Sequence, residues 1–291
     1  MNASLHTFVI NLDRSPDRLR VMQERLARTG LHWERIAAVE GASLDPLACA
    51  EVDIPGYRRA HGKELNKAEL GCYLSHIKAL RRFLAGPWDY ALVLEDDADF
   101  PPDFVSLMER LLQTSGGWDI VKLSCFHSGT PMSVGRLTDR YRLAVPLSRL
   151  MNSNSILFNR HAAEVLLARL LPMRIPYDHA LERASSMGLR LRAVTPMPCP
   201  ADSGLSSTIG DRQHLRRFKL RWYRRGPAML FRTRAELQRA GLGLAQWLAA
   251  HVANRRQARG LPRIAGQTPM DVLLHDDGRQ AYEQRAGFET Q

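Results

Sequence analysis

Over the first two hundred residues, short apolar runs alternate with stretches whose apolar positions recur every three or four residues. The first kind fits strands and the second fits helices with one buried face. His6 to Leu12 reads as a strand. Ser15-Pro16 then supplies an N-cap and a first-turn proline for a helix carrying Leu19, Met22 and Leu26, with Gly30 as its stop. Trp33 to Val39 is a second strand, and 41–63, with its Gly, Pro and weak periodicity, reads mostly as loop. The clearest helix spans about Lys67 to Leu84, with Leu70, Tyr73, Leu74, Ile77, Leu80 and Leu84 at helical spacing and Gly86-Pro87 ending it. A strand at Tyr90 to Leu94, a helix opened by Pro101-Pro102-Asp103, a strand at Asp119 to Ser124 and a loop from His127 to Val134 follow. Tyr141 to Val145 and Ser155 to Asn159 are short strands. Ala162 to Leu171 and Tyr177 to Met187 read as helices, and Leu189 to Val194 as the last strand.

This alternation predicts an α/β layered domain with a largely parallel or mixed sheet. It is expected to occupy residues 1–211. The remainder, 212–291, reads as a basic, mainly helical extension with an amphipathic helix over Leu242 to Val252, packed on the domain or on a membrane surface. Charge sets the extension apart. The 291-residue chain carries a net +11, and between Arg212 and Arg239 ten basic residues face one acid, Glu236, a local +9. A balance of this kind implies an anionic partner. The four cysteines lie far apart without a CxxC pair, which points to reduced thiols rather than a zinc site or disulfide framework. Neither a signal peptide nor an apolar run long enough to span a bilayer is expected, so the protein is read as cytoplasmic, with peripheral contact at the inner face of the membrane.

Against this basic background, Tyr90-Ala-Leu-Val-Leu-Glu-Asp-Asp97 stands out, because an apolar strand ends in three carboxylates. A buried strand delivers such groups to the carboxyl end of a sheet, where α/β proteins bind ligands. Adjacent acids repel one another, so a hard cation such as Mg²⁺ or Mn²⁺ is a natural partner; the alternative is a solvated acidic turn. By strand alternation Glu95 and Asp97 share a side and Asp96 points away. Asn11, Asp13, Arg14 and Arg18 follow the first strand, and the arginines could clamp phosphate. In the clearest helix, Gly71 implies close approach of another element or a ligand, and Glu69, Cys72 and His76 would line one side as a metal trio, a Cys-His catalytic pair or a polar edge. Tyr177-Asp178-His179 opens a helix, with Asp178 either an N-cap or a general base.

Four of these stretches together resemble glycosyltransferase family 25, the sugar transferases of lipopolysaccharide and lipooligosaccharide assembly. They are Val9-Ile10-Asn11-Leu12-Asp13-Arg14 with Arg18, Glu69-Leu70-Gly71-Cys72-Tyr73-Leu74-Ser75-His76, Leu94-Glu95-Asp96-Asp97 and Ser206-Ser207-Thr208-Ile209. The resemblance covers about residues 5–212. It implies a GT-A-type fold, a single Rossmann-like α/β domain, acting on a nucleotide sugar, most often UDP-galactose, with a divalent cation, typically Mn²⁺. Glu95 and Asp97 become the metal-site candidates. Asn11, Leu12, Arg14 and Arg18 fall where the donor nucleotide would lie, with Ser75, His76 and Asp96 beside it. The chain departs from the family pattern at Ala201-Asp202, where a glutamine is usual, and at Asn152-Ser153-Asn154-Ser155, where small residues and an aromatic are usual.

The expected reaction is transfer of a sugar, galactose first, from a UDP-sugar to a lipopolysaccharide or lipooligosaccharide core or other glycan acceptor, with inversion. Inversion needs a base for the acceptor hydroxyl. Asp178 is the first candidate, with Glu69 and Asp202 as rivals. The competing reading is a non-catalytic module that binds anionic glycolipid or nucleic acid through 212–239. No nucleic-acid motif supports it, and nucleic acid is not an expected partner.

Overall fold

The computed structural model describes residues 4–125, 130–199 and 217–258. Eight strands form one mixed sheet. In chain order they are β1 (Leu5–Asn11), β2 (Trp33–Ala37), β3 (Tyr90–Glu95), β4 (Ile120–Lys122), β5 (Pro131–Arg136), β6 (Arg142–Pro146), β7 (Ser155–Asn159) and β8 (Leu191–Thr195), and in space 2-1-3-7-4-8-6-5. β1 pairs in parallel with both β2 and β3, whereas β7 runs antiparallel between β3 and β4. The helices are α1 (Pro16–Ala27), α2 (Ile54–His61), α3 (Lys67–Leu84), α4 (Phe104–Gln113), α5 (Arg160–Leu170), α6 (Tyr177–Leu181) and α7 (Gly226–Ala258). This is the α/β arrangement with a mixed sheet that the alternation implied.

The central strands are apolar throughout because both faces are covered. Phe8 and Ile10 of β1, Ala91 and Val93 of β3, and Ile156 and Phe158 of β7 pack with α3 and α5. Their neighbours Val9, Leu92, Leu94 and Leu157 point the other way, into a second core with α1, α4 and Trp118. The period of two along each strand thus feeds two cores with one sheet between them.

The order 2-1-3 fixes where a ligand can sit. The chain leaves β1 for β2 on one side, then crosses to β3 on the other. The connections therefore diverge at the carboxyl end of β1 and open a crevice there. Helix α3 closes one wall. Gly71 lies against the backbone that follows β2: a Cβ on it would stand 2.6 Å from the Val39 carbonyl oxygen and 2.8 Å from the Gly41 nitrogen. Gly41 reciprocates, since its own Cβ would meet the Lys67 carbonyl oxygen at 2.1 Å. The close approach implied by Gly71 is thus a helix pressed on a backbone turn.

Three elements differ from expectation. Helix α2 lies within the stretch read as loop. Its ends are well marked, with Asp53 Oδ1 accepting the Gly56 N–H at 2.8 Å and Gly62 stopping it at φ 72°, but Tyr57 and Ala60 alone give it too little apolar periodicity. β5 falls partly in the expected loop 127–134. It is an edge strand with an irregularity between Ser133 and Gly135, where Pro131 and Gly135 are tolerated. α7 is 33 residues long and far exceeds Leu242 to Val252.

α7 is docked on the domain through polar anchors. Trp247 Nε1 donates to the Ser133 carbonyl (3.1 Å), Asn254 Nδ2 to the Val134 carbonyl (3.2 Å), and Arg192 Nη1 to Gln246 Oε1 (2.6 Å). Arg239 Nη2 lies 3.3 Å from Glu182 Oε2, and Glu182 Oε1 lies 3.9 Å from Lys122 Nζ, whose ammonium also donates to the Leu150 carbonyl. All three side chains are buried.

Gly71→Ala should destabilise the fold by about 1–3 kcal/mol despite the better helix former, because the added methyl meets backbone that must shift. Urea denaturation checks this; a midpoint equal to wild type would show that 39–41 yields freely.

Candidate active site

The carboxyl ends of β1, β2 and β3 and the adjacent face of α3 line an open cleft. Asn11, Leu12, Arg14 and Arg18 come from β1 and the start of α1. Val39, Glu40 and Gly41 come from the segment after β2. Cys72, Ser75 and His76 come from α3, and Glu95, Asp96 and Asp97 from the end of β3. The expected nucleotide-contacting and metal-binding residues therefore meet on one cavity.

Strand alternation stops at Glu95, the last residue of β3, and Asp96 and Asp97 occupy a turn. Asp96 diverges from Glu95, but the turn also brings Asp97 near the partner of Asp96: Arg18 ion-pairs with Asp96 and lies 3.7 Å from Asp97 Oδ2. Asn11 Nδ2 donates to Asp96 Oδ2 at 2.7 Å, and Arg35 Nε holds Asn11 by donating to its Oδ1 (3.1 Å). Asp96 is thus a tie between β1 and β3. Glu95 turns toward α3, where His76 Nε2 stands 3.1 Å from its Oε1, and Ser153 Oγ donates to the same oxygen (2.9 Å). The Tyr177 ring stacks on His76 with centroids 4.1 Å apart.

The charges are unequally met. Burial opposes ionisation of Glu95, but the bonds from His76 and Ser153 and the Arg18 charge outweigh it and hold its pKa below the ordinary value. Asp97 is pushed up to about 6 by burial and by the Glu95 charge, against the pull of Arg18. Its Oδ1 is buried without a hydrogen-bond partner among the described residues. A divalent cation suits that oxygen, since it would add positive charge to that of Arg18 where three carboxylates meet. A second ligand set overlaps it: Cys72, His76 and Glu95 offer sulfur, nitrogen and oxygen within 4.8 Å of one another.

The remaining expected residues have other partners. Arg14 Nε pairs with Glu40 at 2.6 Å across the mouth of the cleft. Ser75 Oγ accepts the Val39 N–H (2.8 Å) and donates to the Gly71 carbonyl (2.6 Å), so it staples α3 to the segment after β2. Glu69 does not join Cys72 and His76 on the cleft. It is buried against α2, where Tyr57 Oη donates to it and Lys63 lies 3.9 Å away. Burial and nearby carboxylates hold the Cys72 thiol well above its usual range, which removes the thiolate that a Cys-His nucleophile requires. Asp178, half-buried on α6 beside Tyr177, accepts the His179 N–H at 2.8 Å and is not among the residues that line the cleft. The N-cap of α6 is Pro176, so Asp178 does not serve as the cap. Asp202 and Ser206 to Ile209 lie outside the described residues.

Sequence reading missed Ser153 and Tyr177 as partners of the acidic turn. Ser153 is held there by Asn152, whose φ of 138° is one that non-glycine residues seldom adopt and whose Oδ1 accepts the Ser153 and Asn154 N–H groups (2.7 and 3.1 Å). Strain of this kind gathers at ligand sites. The Asn-Ser-Asn-Ser composition marked the place but not its partner.

A profile described as Glycosyltransferase family 25 (LPS biosynthesis protein) matches residues 4–181, more than half of the chain. The chain belongs to glycosyltransferase family 25. It is 32% identical over 123 residues to a glycosyltransferase 25 family member of Aedes aegypti, a match covering 40% of this chain and 20% of that protein. Human procollagen galactosyltransferase 2 is 30% identical over 122 residues (39% and 20%), and the human inactive glycosyltransferase 25 family member 3 is 33% identical over 124 residues (40% and 21%). The chain thus spans about a fifth of the length of these curated relatives. Two solved structures are distantly similar. A mannosyltransferase of Pyrobaculum calidifontis, in complex with GDP-Man and Mn²⁺, has TM-score 0.40 at 12% identity, covering 100% of this chain and 82% of that one. TarS 1-349 of S. aureus has TM-score 0.40 at 13% identity, covering 68% and 60%. At such scores neither bears on donor, metal or acceptor.

A polar cluster joins α2, α6 and α7 behind Glu69. Burial first, then Lys63, His179 and Arg232, lower the His61 pKa to about 2. His61 is therefore neutral when folded but takes a proton below about 6.5 when unfolded, so stability is full above that value and falls as pH drops toward 2. The slope should approach ~1.4 kcal/mol per pH unit. His61→Asn should flatten the stability profile between pH ~6 and ~4.5, as measured by urea denaturation; an unaltered slope would assign the acid loss to other groups.

Proposed function

We propose that this protein transfers a sugar, galactose as first candidate, from a UDP-sugar to a hydroxyl of a lipopolysaccharide or lipooligosaccharide core, with inversion and with the help of a divalent cation. The observation that carries this reading is the meeting of three carboxylates with Asn11, Arg14 and Arg18 on one crevice at the carboxyl ends of β1 and β3. A crevice lined by arginines suits a diphosphate. The profile's description supports a lipopolysaccharide acceptor, and relatives named procollagen galactosyltransferases support galactose.

Asp97 and Glu95 would hold the cation, for which the unpartnered Asp97 Oδ1 is the fitting atom. When bound, Mn²⁺ or Mg²⁺ supplies positive charge against the negative charge that develops on a leaving diphosphate. Asp96 is committed to Asn11 and Arg18, so its part is to fix the turn and to keep Arg18 aimed at the cleft. His76 and Ser153 orient Glu95. Arg14, exposed and paired across the mouth with Glu40, is placed to exchange that partner for phosphate.

The base must take a proton from the acceptor hydroxyl. Glu69 is already engaged by Tyr57 and Lys63, which leaves Asp178 as the better candidate. It follows Tyr177, the ring that backs His76, and its charge is felt by Cys72 at the cleft wall and by Glu69. Asp178 belongs to the acceptor side in this reading and Arg14 and Arg18 to the donor side.

Calorimetry with a panel of UDP-sugars, with Mn²⁺ and with chelator, tests the donor and metal together. Wild type should bind its donor ~tenfold or more tightly with Mn²⁺, and Asp97→Ala should lose that gain. Equal affinity in chelator would sink the metal-dependent reading. Asp178→Asn should lower turnover ~10²–10⁴-fold while donor affinity stays at the wild-type level; unchanged turnover would remove Asp178 as the base.

A further inference from the structure

Helix α7 wears its leucines on the outside. At 3.6 residues per turn, Leu230, Leu237, Leu244 and Leu248 fall within about 40° of one another, and Val252 adjoins them. All five are exposed, Leu230 at 73% and Leu237 at 71%. The opposite face, turned to the sheet and to α2, carries Ala228, Arg239, Gly243 and Asn254, which are buried. A surface helix ordinarily turns its large apolar side chains inward. Here Phe231 and Trp247 pack on the cores beside the polar anchors and small residues, and a continuous apolar stripe still faces outward, which in a folded protein marks a surface for a partner. Just before the helix, Trp222 (78% exposed) and Tyr223 stand out from the protein among Lys219, Arg221, Arg224 and Arg225.

We propose that this outward face, together with 219–225, docks on a lipid bilayer bearing anionic headgroups, with α7 lying in the plane of the surface. Charge decides between that partner and a second copy of the chain. Arg234 and Arg255 project within the stripe itself. The acid of this region, Glu236, is turned inward, held by Arg149 (2.8 Å) and Arg239 (2.5 Å). Two copies meeting stripe to stripe would set arginine against arginine without an acid to match. An anionic membrane meets both needs: headgroup phosphates accept the arginines, and the acyl boundary takes the leucines, while exposed Trp and Tyr fit the interfacial layer. No helix among the described residues is long and apolar enough to cross a membrane, so the contact lies on the surface.

The test is sedimentation of the full-length protein at low salt with vesicles of phosphatidylcholine, either pure or containing about a third phosphatidylglycerol. Wild type should pellet with the anionic vesicles ~tenfold more strongly than with the neutral ones. The triple change Leu237→Ser, Leu244→Ser and Leu248→Ser should weaken that binding ~tenfold, and so should Arg234→Gln with Arg255→Gln, while both melt like wild type. Absence of pelleting by wild type, equal binding by the leucine variant, or a leucine variant with a depressed melting temperature would overturn the proposal, the last because it would show the stripe to be covered within the fold. Light scattering that finds a wild-type dimer dispersed by the leucine changes would overturn it in favour of a second copy.

Discussion

Three carboxylates crowded at the end of one buried strand constitute the central constraint of this structure. Left alone, Glu95, Asp96 and Asp97 would repel one another in a poorly solvated crevice. The fold answers each differently. Glu95 is drawn to α3 by His76 and to the loop before β7 by Ser153. Asp96 is bound to the end of β1 by Asn11 and to α1 by Arg18. Asp97 keeps an oxygen without a hydrogen-bond partner among the described residues. The first two answers hold the walls of the crevice together. The third leaves charge for something that arrives from outside.

The walls depend on the close packing of α3. Because neither Gly71 nor Gly41 has a side chain, the helix can rest on the backbone after β2, and Ser75 locks the contact by bonding Val39 and Gly71. That contact sets the position of Cys72 and His76 in the cleft. One glycine pair therefore fixes the register between the helix and the acidic turn, and side chains nearly twenty residues apart in sequence come to share a ligand-sized space.

The strands and helices that position the site were readable because each has a single strong period. β1, β3 and β7 alternate between two cores, and α3 keeps an apolar face through eighteen residues. The acids were readable for the opposite reason, since they interrupt an apolar run in a basic chain. What could not be read is long-range pairing. Nothing local says that Ser153 will reach Glu95, that Glu69 will turn to Tyr57 instead of the cleft, or that the turn will bring Asp97 near Arg18, the partner of Asp96. α2 was hidden by its scarcity of apolar positions, and α7 because its leucine periodicity belongs to an outward face, while its inward face mixes Phe231 and Trp247 with arginine, glycine and asparagine.

The buried chain of Lys122, Glu182 and Arg239 crosses from the central sheet to α7. The family profile stops at residue 181, one position short of the middle member of that chain. Cutting the polypeptide where the sequence family ends would strand an ammonium in the interior with its counter-charge removed, at a cost of several kcal/mol. The end of the profile match thus falls inside a buried run of charge that ties the central sheet to the long helix.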